Sequence, residues 1–303
     1  MKAIFVGTPQ VAADYLKILA KELEITLVIT QSPKESGRGL KVKRSPVALT
    51  AEALKIELLE VSDINESEVA RKLSRSLAEI GIVIAFGQLI KPATLDTLKY
   101  GFINLHFSLL PEFRGADPVA AAIRTGTAKT GVSVFKIGEG LDSGPVYVSS
   151  EIDIDVEENT QSLFEKMFPI GLKAIFEAIK KIEANEAPKE QIGEVSYAPK
   201  IYKKDLKIAW EKSGQEIYNL IRSGVSGRSA WTWLDSKMLK ITAARLSNAE
   251  DFGQMGEVRI KDKVYVQTGL GVIEILQIVP EGKPEMTAVE WSRGLKNTKV
   301  IFK

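Results

Sequence analysis

The chain has 303 residues, 41 Lys+Arg against 39 Asp+Glu, one histidine and no cysteine. That length holds a large core and suffices for two domains, while the missing cysteines exclude disulfides, thiolate catalysis and Cys-based zinc or iron–sulfur sites, and a lone histidine excludes a His-rich metal centre. There is no run of about eighteen apolar residues to span a membrane, and the first strand follows Met1 directly, so a cytoplasmic protein without bound metal is expected.

Residues 2–6 read as a buried strand, Gly7-Thr8-Pro9 as a turn, and residues 11–23 as a helix with apolar side chains at helical spacing. The turn lacks Gly-x-Gly-x-x-Gly, which leaves a dinucleotide site unsupported, although N–H groups at a helix N-terminus can still meet a phosphate or carboxylate. After a second strand at 25–30, the stretch 31–46 is too long and polar for a routine connection. In it Lys34, Arg38, Lys41, Lys43 and Arg44 face a single acid, Glu35, around Gly37-Arg38-Gly39. A loop that moulds itself to a phosphate backbone and a plain solvated loop fit this composition equally well. A helix at 46–54, a short strand at 57–61 and an amphipathic helix at 66–76 follow. Residues 80–85 form the near-continuous apolar run of a central parallel strand. It ends in Phe86-Gly87-Gln88-Leu89, which suits either one wall of a pocket for a flat ring or packing under the next helix.

The organising stretch is Gly101 to Pro111, which holds the only histidine. Residues 101–106 read as a strand, so Asn104 and His106 leave the same face and sit at the rim where open α/β sheets bind ligands. A lone histidine among apolar residues is most often a satisfied rim group. The second segment, Gly138-Glu-Gly-Leu-Asp-Ser-Gly-Pro145, changes that balance, because its glycines allow a tight turn that brings Asp142 inward. A carboxylate raises the proton affinity of an imidazole and orients it, and a carboxamide donates to a developing oxyanion. Asn104, His106 and Asp142 are therefore a set for acyl transfer. No side-chain nucleophile accompanies them, since Ser108 is not in a Gly-x-Ser-x-Gly elbow; the attacking group must come from a substrate.

Beyond Pro111 a short helix spans 119–125, strands span 131–137 and 145–151, and a long amphipathic helix covers 160–183. Residues 184–204, rich in Lys, Glu, Pro and Gly, read as a linker. A helix at 214–222 then precedes short strands at 230–233, 237–244, 256–260, 264–267 and 271–280, the pattern of a small barrel, with a last helical turn at 289–294. Trp231 and Trp233 share one strand face, as barrel wall more readily than as a base-stacking platform. Residues 203–303 hold 17 Lys+Arg against 12 Asp+Glu. That modest basic excess alone is a weak pointer to nucleic acid.

Taken together, Asn104-x-His106-x-Ser108-Leu-Leu-Pro111, Arg114-Gly115 and Gly140-Leu-Asp142-Ser-Gly144 resemble the folate-dependent formyltransferases. The Gly7-Thr8-Pro9 turn, the basic loop and the C-terminal barrel are similar to the branch of that family whose acceptor is methionyl-tRNA. The resemblance implies a Rossmann-like open, mostly parallel α/β domain over 1–189, a linker over 190–205, and an OB-like β-barrel domain over 206–303 that binds tRNA. It implies 10-formyltetrahydrofolate as formyl donor, initiator Met-tRNA as partner, a monomer, and catalysis by Asn104, His106 and Asp142. Ser108, Leu109, Leu110 and Pro111 with Phe86, Gly87, Gln88 and Leu89 would hold the folate, and Arg38, Lys41, Lys43 and Arg44 the tRNA. A sister enzyme formylating a nucleotide-linked amino sugar is the nearest alternative; a glycinamide ribonucleotide enzyme would not need the last hundred residues, and a non-catalytic RNA-binding protein would not need the trio. Phe107 and Asp117 depart from residues usual in the tRNA-directed branch, and 222–230 lacks its Pro-rich segment.

Overall fold

The structure, a computed structural model, describes residues 1–36, 41–225, 227–295 and 300–303, the side chains of 34–36 and 41–42 excepted. The basic-loop core Gly37-Arg38-Gly39 and the side chain of Lys41 therefore lie outside the described residues. Two compact units emerge, one made of 1–116, 131–151 and 167–197, the other of 117–130, 152–166 and 198–303.

The first unit is built on β1 (Lys2–Gly7), α1 (Gln10–Glu22), β2 (Glu24–Gln31), the ribbon β3 (Lys34–Ser36) and β4 (Lys41–Lys43), α2 (Pro46–Ala53), β5 (Leu58–Val61), α3 (Ser67–Arg75), β6 (Ile80–Ile84), α4 (Pro92–Leu95) and β7 (Phe102–His106). Along the chain follow β8 (Arg114–Gly115), α5 (Pro118–Thr125), β9 (Lys129–Lys136), β10 (Val146–Asp153), α6 (Thr160–Glu183) and β11 (Tyr197–Ala198). The main sheet runs β10-β9-β7-β6-β1-β2-β5. Strands β7, β6, β1, β2 and β5 are parallel, and β9 lies antiparallel on β7. The chain winds outward from β1 in both directions, so the sheet has its topological switch beside β1 and β6, the position where such sheets bind ligands.

The sequence dictates this order locally. All five residues of β6, Ile-Gly-Ile-Val-Ile, are buried, as a strand covered on both faces requires. Gly81 stands in register with Phe102, and a Cβ there would lie 2.1 Å from the Phe102 ring. The absent side chain is what lets the fully buried Phe102 close over β6. Ile4, Val6, Leu27, Ile29, Val83 and Phe102 form the core between sheet and helices, each such side chain contributing about 1.5–3 kcal/mol.

The second unit contains α7 (Gly214–Arg222), β12 (Ala230–Leu234), β13 (Lys237–Ser247), β14 (Glu257–Ile260), β15 (Val264–Gln267), β16 (Val272–Pro280), β17 (Met286–Thr287), α8 (Ala288–Ser292) and β18 (Val300–Ile301). The strand order is β12-β13-β16-β15-β14-β18, with β17 on β16. The backbone groups of Trp233 and Lys303 exchange two hydrogen bonds of 2.9 Å, and Leu234 bridges Phe302, so the first and last strands meet and the sheet curls into a barrel. Its interior holds Ile208, Trp210, Ile241, Val266, Ile273 and Phe302, and the buried Trp210 indole donates to Thr232 Oγ1 at 2.9 Å. Trp231 belongs to the wall: it packs against that core and donates to the Lys203 carbonyl, with the Trp233 ring edge-on at 5.4 Å. Asp117 also has a structural duty, its carboxylate accepting from the Ile201 N–H at 2.7 Å.

Candidate active site

All of the acyl-transfer set lies in the first unit. His106 ends β7 at the carboxyl edge of the sheet, with Asn104 two residues before it on the same face. The imidazole is buried, 5% exposed, and its Nε2 lies 2.9 Å from the Phe113 carbonyl oxygen. A carbonyl only accepts, so in the neutral ring Nε2 carries the hydrogen and Nδ1 keeps the lone pair. Nδ1 faces Asp142 Oδ2 at 3.7 Å. The two segments that were far apart in sequence thus meet.

Asp142 is held in a left-handed backbone conformation, φ 47°. Its Oδ2 accepts a hydrogen bond of 2.8 Å from the Gly115 N–H, which aims the carboxylate at the imidazole. From sequence, the carboxylate was expected to raise the imidazole's proton affinity. The structure shows a stronger opposing cause: burial pushes His106 below its ordinary 6.5, while Asp142 and the Phe113 carbonyl pull it back up. The ring is a neutral base near pH 7.

The Asn104 carboxamide is half-buried and has no hydrogen-bond partner among the described residues. A polar head without a protein partner at the rim is free to donate to a substrate oxygen. Phe107 turns to the other face and packs near Tyr15, ring centroids 6.3 Å apart.

The segment after His106 is braced from within. The buried Ser108 donates through Oγ to the Glu112 carbonyl at 2.5 Å, Ser133 Oγ on β9 donates to the Ser108 carbonyl at 2.8 Å, and the same oxygen accepts from the Leu110 N–H at 3.1 Å. Leu110 and Pro111 are buried, which leaves Leu109 as the part-exposed side chain of this stretch. In the other expected folate segment, the Phe86 ring packs in the core, and Gln88 bridges the Ile64 N–H and the Ser62 carbonyl. Gly87 and the 65%-exposed Leu89 form its open face.

In the basic stretch, Lys43 is exposed, whereas Arg44 is clamped by Glu60 at 3.0 Å and Glu52 at 2.5 Å, which raise its affinity for its proton further. Among the described residues no group of three or more His, Cys, Asp or Glu is placed to hold a metal ion.

Sequence reasoning missed several contributors. Ser133, Ser196 and Gln191 have no motif around them. Ser196 Oγ accepts from the Phe113 N–H at 2.8 Å, which fixes the carbonyl that His106 leans on. Gln191 binds both Arg114 and the Asp142 loop. Their common signal is three-dimensional: β11 pairs with β8 in a two-stranded ribbon, so the supposed linker returns to the site.

An α/β sheet that presents a base, a carboxylate and a free amide donor without a nucleophile defines an acyl-group transferase, and comparison with known proteins narrows the class: the chain belongs to the formyl transferase family, whose model matches residues 1–179, with the family's C-terminal domain matching 200–296. Among its relatives, a methionyl-tRNA formyltransferase of Thermodesulfovibrio yellowstonii is 36% identical over 97% of this chain and 96% of its own. Another methionyl-tRNA formyltransferase, from Corynebacterium efficiens, is 37% identical over 97% of both chains. An N-formyltransferase of Helicobacter canadensis, solved with folinic acid and dTDP-3-aminofucose, shares the fold at TM-score 0.64 and 18% identity, over 91% of this chain and 98% of its own.

Proposed function

We propose that this protein transfers the formyl group of 10-formyltetrahydrofolate to the amino group of initiator methionyl-tRNA. The observation that carries the reading is the convergence of His106, Asp142 and an unpartnered Asn104 amide at the carboxyl edge of β7, in a chain whose full-length relatives bear that activity in their names.

The donor set fits a formyl folate, because the Asn104 amide lacks a hydrogen-bond partner among the described residues, and Gly87, Leu89 and Leu109 keep exposed surface in the two segments expected to hold it. Bound there, the folate supplies an activated formyl carbon. Asn104 donates to the formyl oxygen as negative charge builds on it. The neutral His106 takes the proton of the attacking amine at Nδ1, Asp142, 3.7 Å away, stabilises the imidazolium so formed, and the proton is returned to N10 of the donor as its bond to the formyl carbon breaks, which releases tetrahydrofolate. Gly115 and Phe113 keep carboxylate and imidazole in place through their backbone groups.

On the acceptor side, Arg44 already has its charge met by two carboxylates, which leaves Lys43 with Arg38 and Lys41 as the loop's contribution to tRNA. The domains in this reading are the catalytic 1–189, the connecting 190–205 and the tRNA-binding 206–303. It acts as a monomer, in the cytoplasm where translation begins.

A transfer assay with labelled 10-formyltetrahydrofolate, offering Met-tRNA and dTDP-3-aminofucose in parallel, tests the acceptor. Label on Met-tRNA with none on the sugar is expected; the reverse would move the protein to the sugar-directed branch.

A further inference from the structure

Gln191 lies between the two regions that the family models cover. Its side-chain amide nevertheless makes four hydrogen bonds at the site. Nε2 donates to the backbone carbonyls of Asp142 and Gly144, both at 2.8 Å. Oε1 accepts from Arg114, 2.6 Å from Nη2 and 3.2 Å from Nε. The amide's two hydrogens and both of its lone pairs are satisfied.

Each end of this bridge reaches something that aims Asp142. One end holds the loop on which Asp142 sits in its left-handed conformation, a backbone state that costs free energy and persists where its surroundings impose it. The other end holds Arg114, whose neighbour Gly115 supplies the N–H that Asp142 Oδ2 accepts. The segment that carries Gln191 is anchored on both sides of it. Lys189 and Val146 exchange backbone hydrogen bonds of 2.7 and 2.9 Å, and Ser196 accepts from the Arg114 N–H at 2.9 Å.

We propose that Gln191 is a positioning residue for the reaction: by tying the Asp142 loop to Arg114 it fixes the distance between the Asp142 carboxylate and His106. The inference rests on the role given to Asp142 above. It makes the connecting segment a working part of the catalytic unit rather than a spacer.

A residue that acts only through Asp142 has no effect once Asp142 is gone, so a double-mutant cycle separates it from general support. Gln191→Ala is expected to lower kcat on the order of 10-fold while KM for both substrates stays within about twofold. In an Asp142→Asn background the same change is expected to cost nothing further. The acid limb of the pH–rate profile should shift to lower pH in Gln191→Ala, because a displaced carboxylate supports the imidazolium less. Additive losses, or a Gln191→Ala enzyme at wild-type kcat and pH profile, would overturn the proposal. Should Gln191→Ala fold poorly, Gln191→Glu keeps the volume and the Arg114 acceptor but sets a carboxylate oxygen against the two loop carbonyls in place of the donors, and the same non-additivity is expected of it. Hydrogen exchange over 138–145 reads the clamp itself and should quicken in either variant. An Asp142→Asn enzyme of undiminished rate would instead remove the functional reading on which the clamp depends.

Discussion

At the scale of the residue, His106 is where burial and charge oppose each other. Taking an imidazolium out of water costs more than the Asp142 carboxylate and the Phe113 carbonyl return, so the folded protein holds this proton less tightly than the unfolded chain does. Between the depressed folded value and the ordinary 6.5, the unfolded state binds more protons. Stability tied to His106 is therefore fully present above that window and is lost as the pH falls through it. Melting temperatures of the wild type should fall more steeply than those of His106→Asn between about pH 7.5 and 5; parallel curves would contradict the assignment. The same neutral ring is the proposed base. His106→Ala should lower kcat by about 10²- to 10⁴-fold with folate binding retained, a loss measured by single-turnover formyl transfer.

The elements show why two changes far from the imidazole should be felt. A Cβ on Gly144 would sit 1.8 Å from the Lys136 carbonyl oxygen, which is backbone and cannot yield without opening the β9–β10 turn. Lys136 N–H donates to the Pro145 carbonyl at 2.9 Å in that turn, and Asp142 rides on it. Gly144→Ala should destabilise the protein by about 1–3 kcal/mol and lower kcat, seen as a lower urea midpoint together with slower transfer. At the start of α7, Ser213 and Glu216 satisfy each other's backbone N–H groups, and the Ser213 hydroxyl and then its N–H, both donating to the Glu216 carboxylate, hold that carboxyl at about 2. The stability linked to it is present above its ordinary 4.5 and disappears as pH drops toward 2. Ser213→Ala should cost about 1 kcal/mol near neutral pH and shrink that acid sensitivity, both readable from denaturation midpoints.

These elements differ in how legible they were. Runs such as Ile80–Ile84 and the helical spacing of 160–183 announce themselves because burial imposes a period on the residues. The shared face of Asn104 and His106 was legible for a like reason, since side chains alternate along β7. The ribbon of β8 and β11 was not: each strand has two residues, and Ser196, which meets the Phe113 N–H, is 83 positions away in sequence. No local pattern encodes such a meeting. Gln191 was hidden by the same fact, as a polar residue in a stretch whose composition is that of a spacer. The pull of Asp142 on His106 was legible, whereas the burial that outweighs it was not, because the sequence shows the carboxylate but not how deeply the ring is enclosed.

For the whole molecule, the surplus of positive charge sits in the last hundred residues, whereas the proposed chemistry sits in the first unit. Phosphate contacts release counterions, so tRNA engagement carries a salt penalty that folate engagement, with its single small ligand, does not. KM for Met-tRNA should climb steeply with added salt while KM for 10-formyltetrahydrofolate changes little. Lys204, Lys207 and Lys237 are exposed on the second unit. Replacing any one of them with alanine should lower the slope of log KM against log salt by roughly one if that lysine meets a phosphate, and should leave kcat at saturating tRNA unaltered. A triple variant with an unchanged slope would show that the basic excess of this unit is solvated surface, and would pass the whole of the tRNA contact to the loop around Lys43 and to recognition that does not depend on charge.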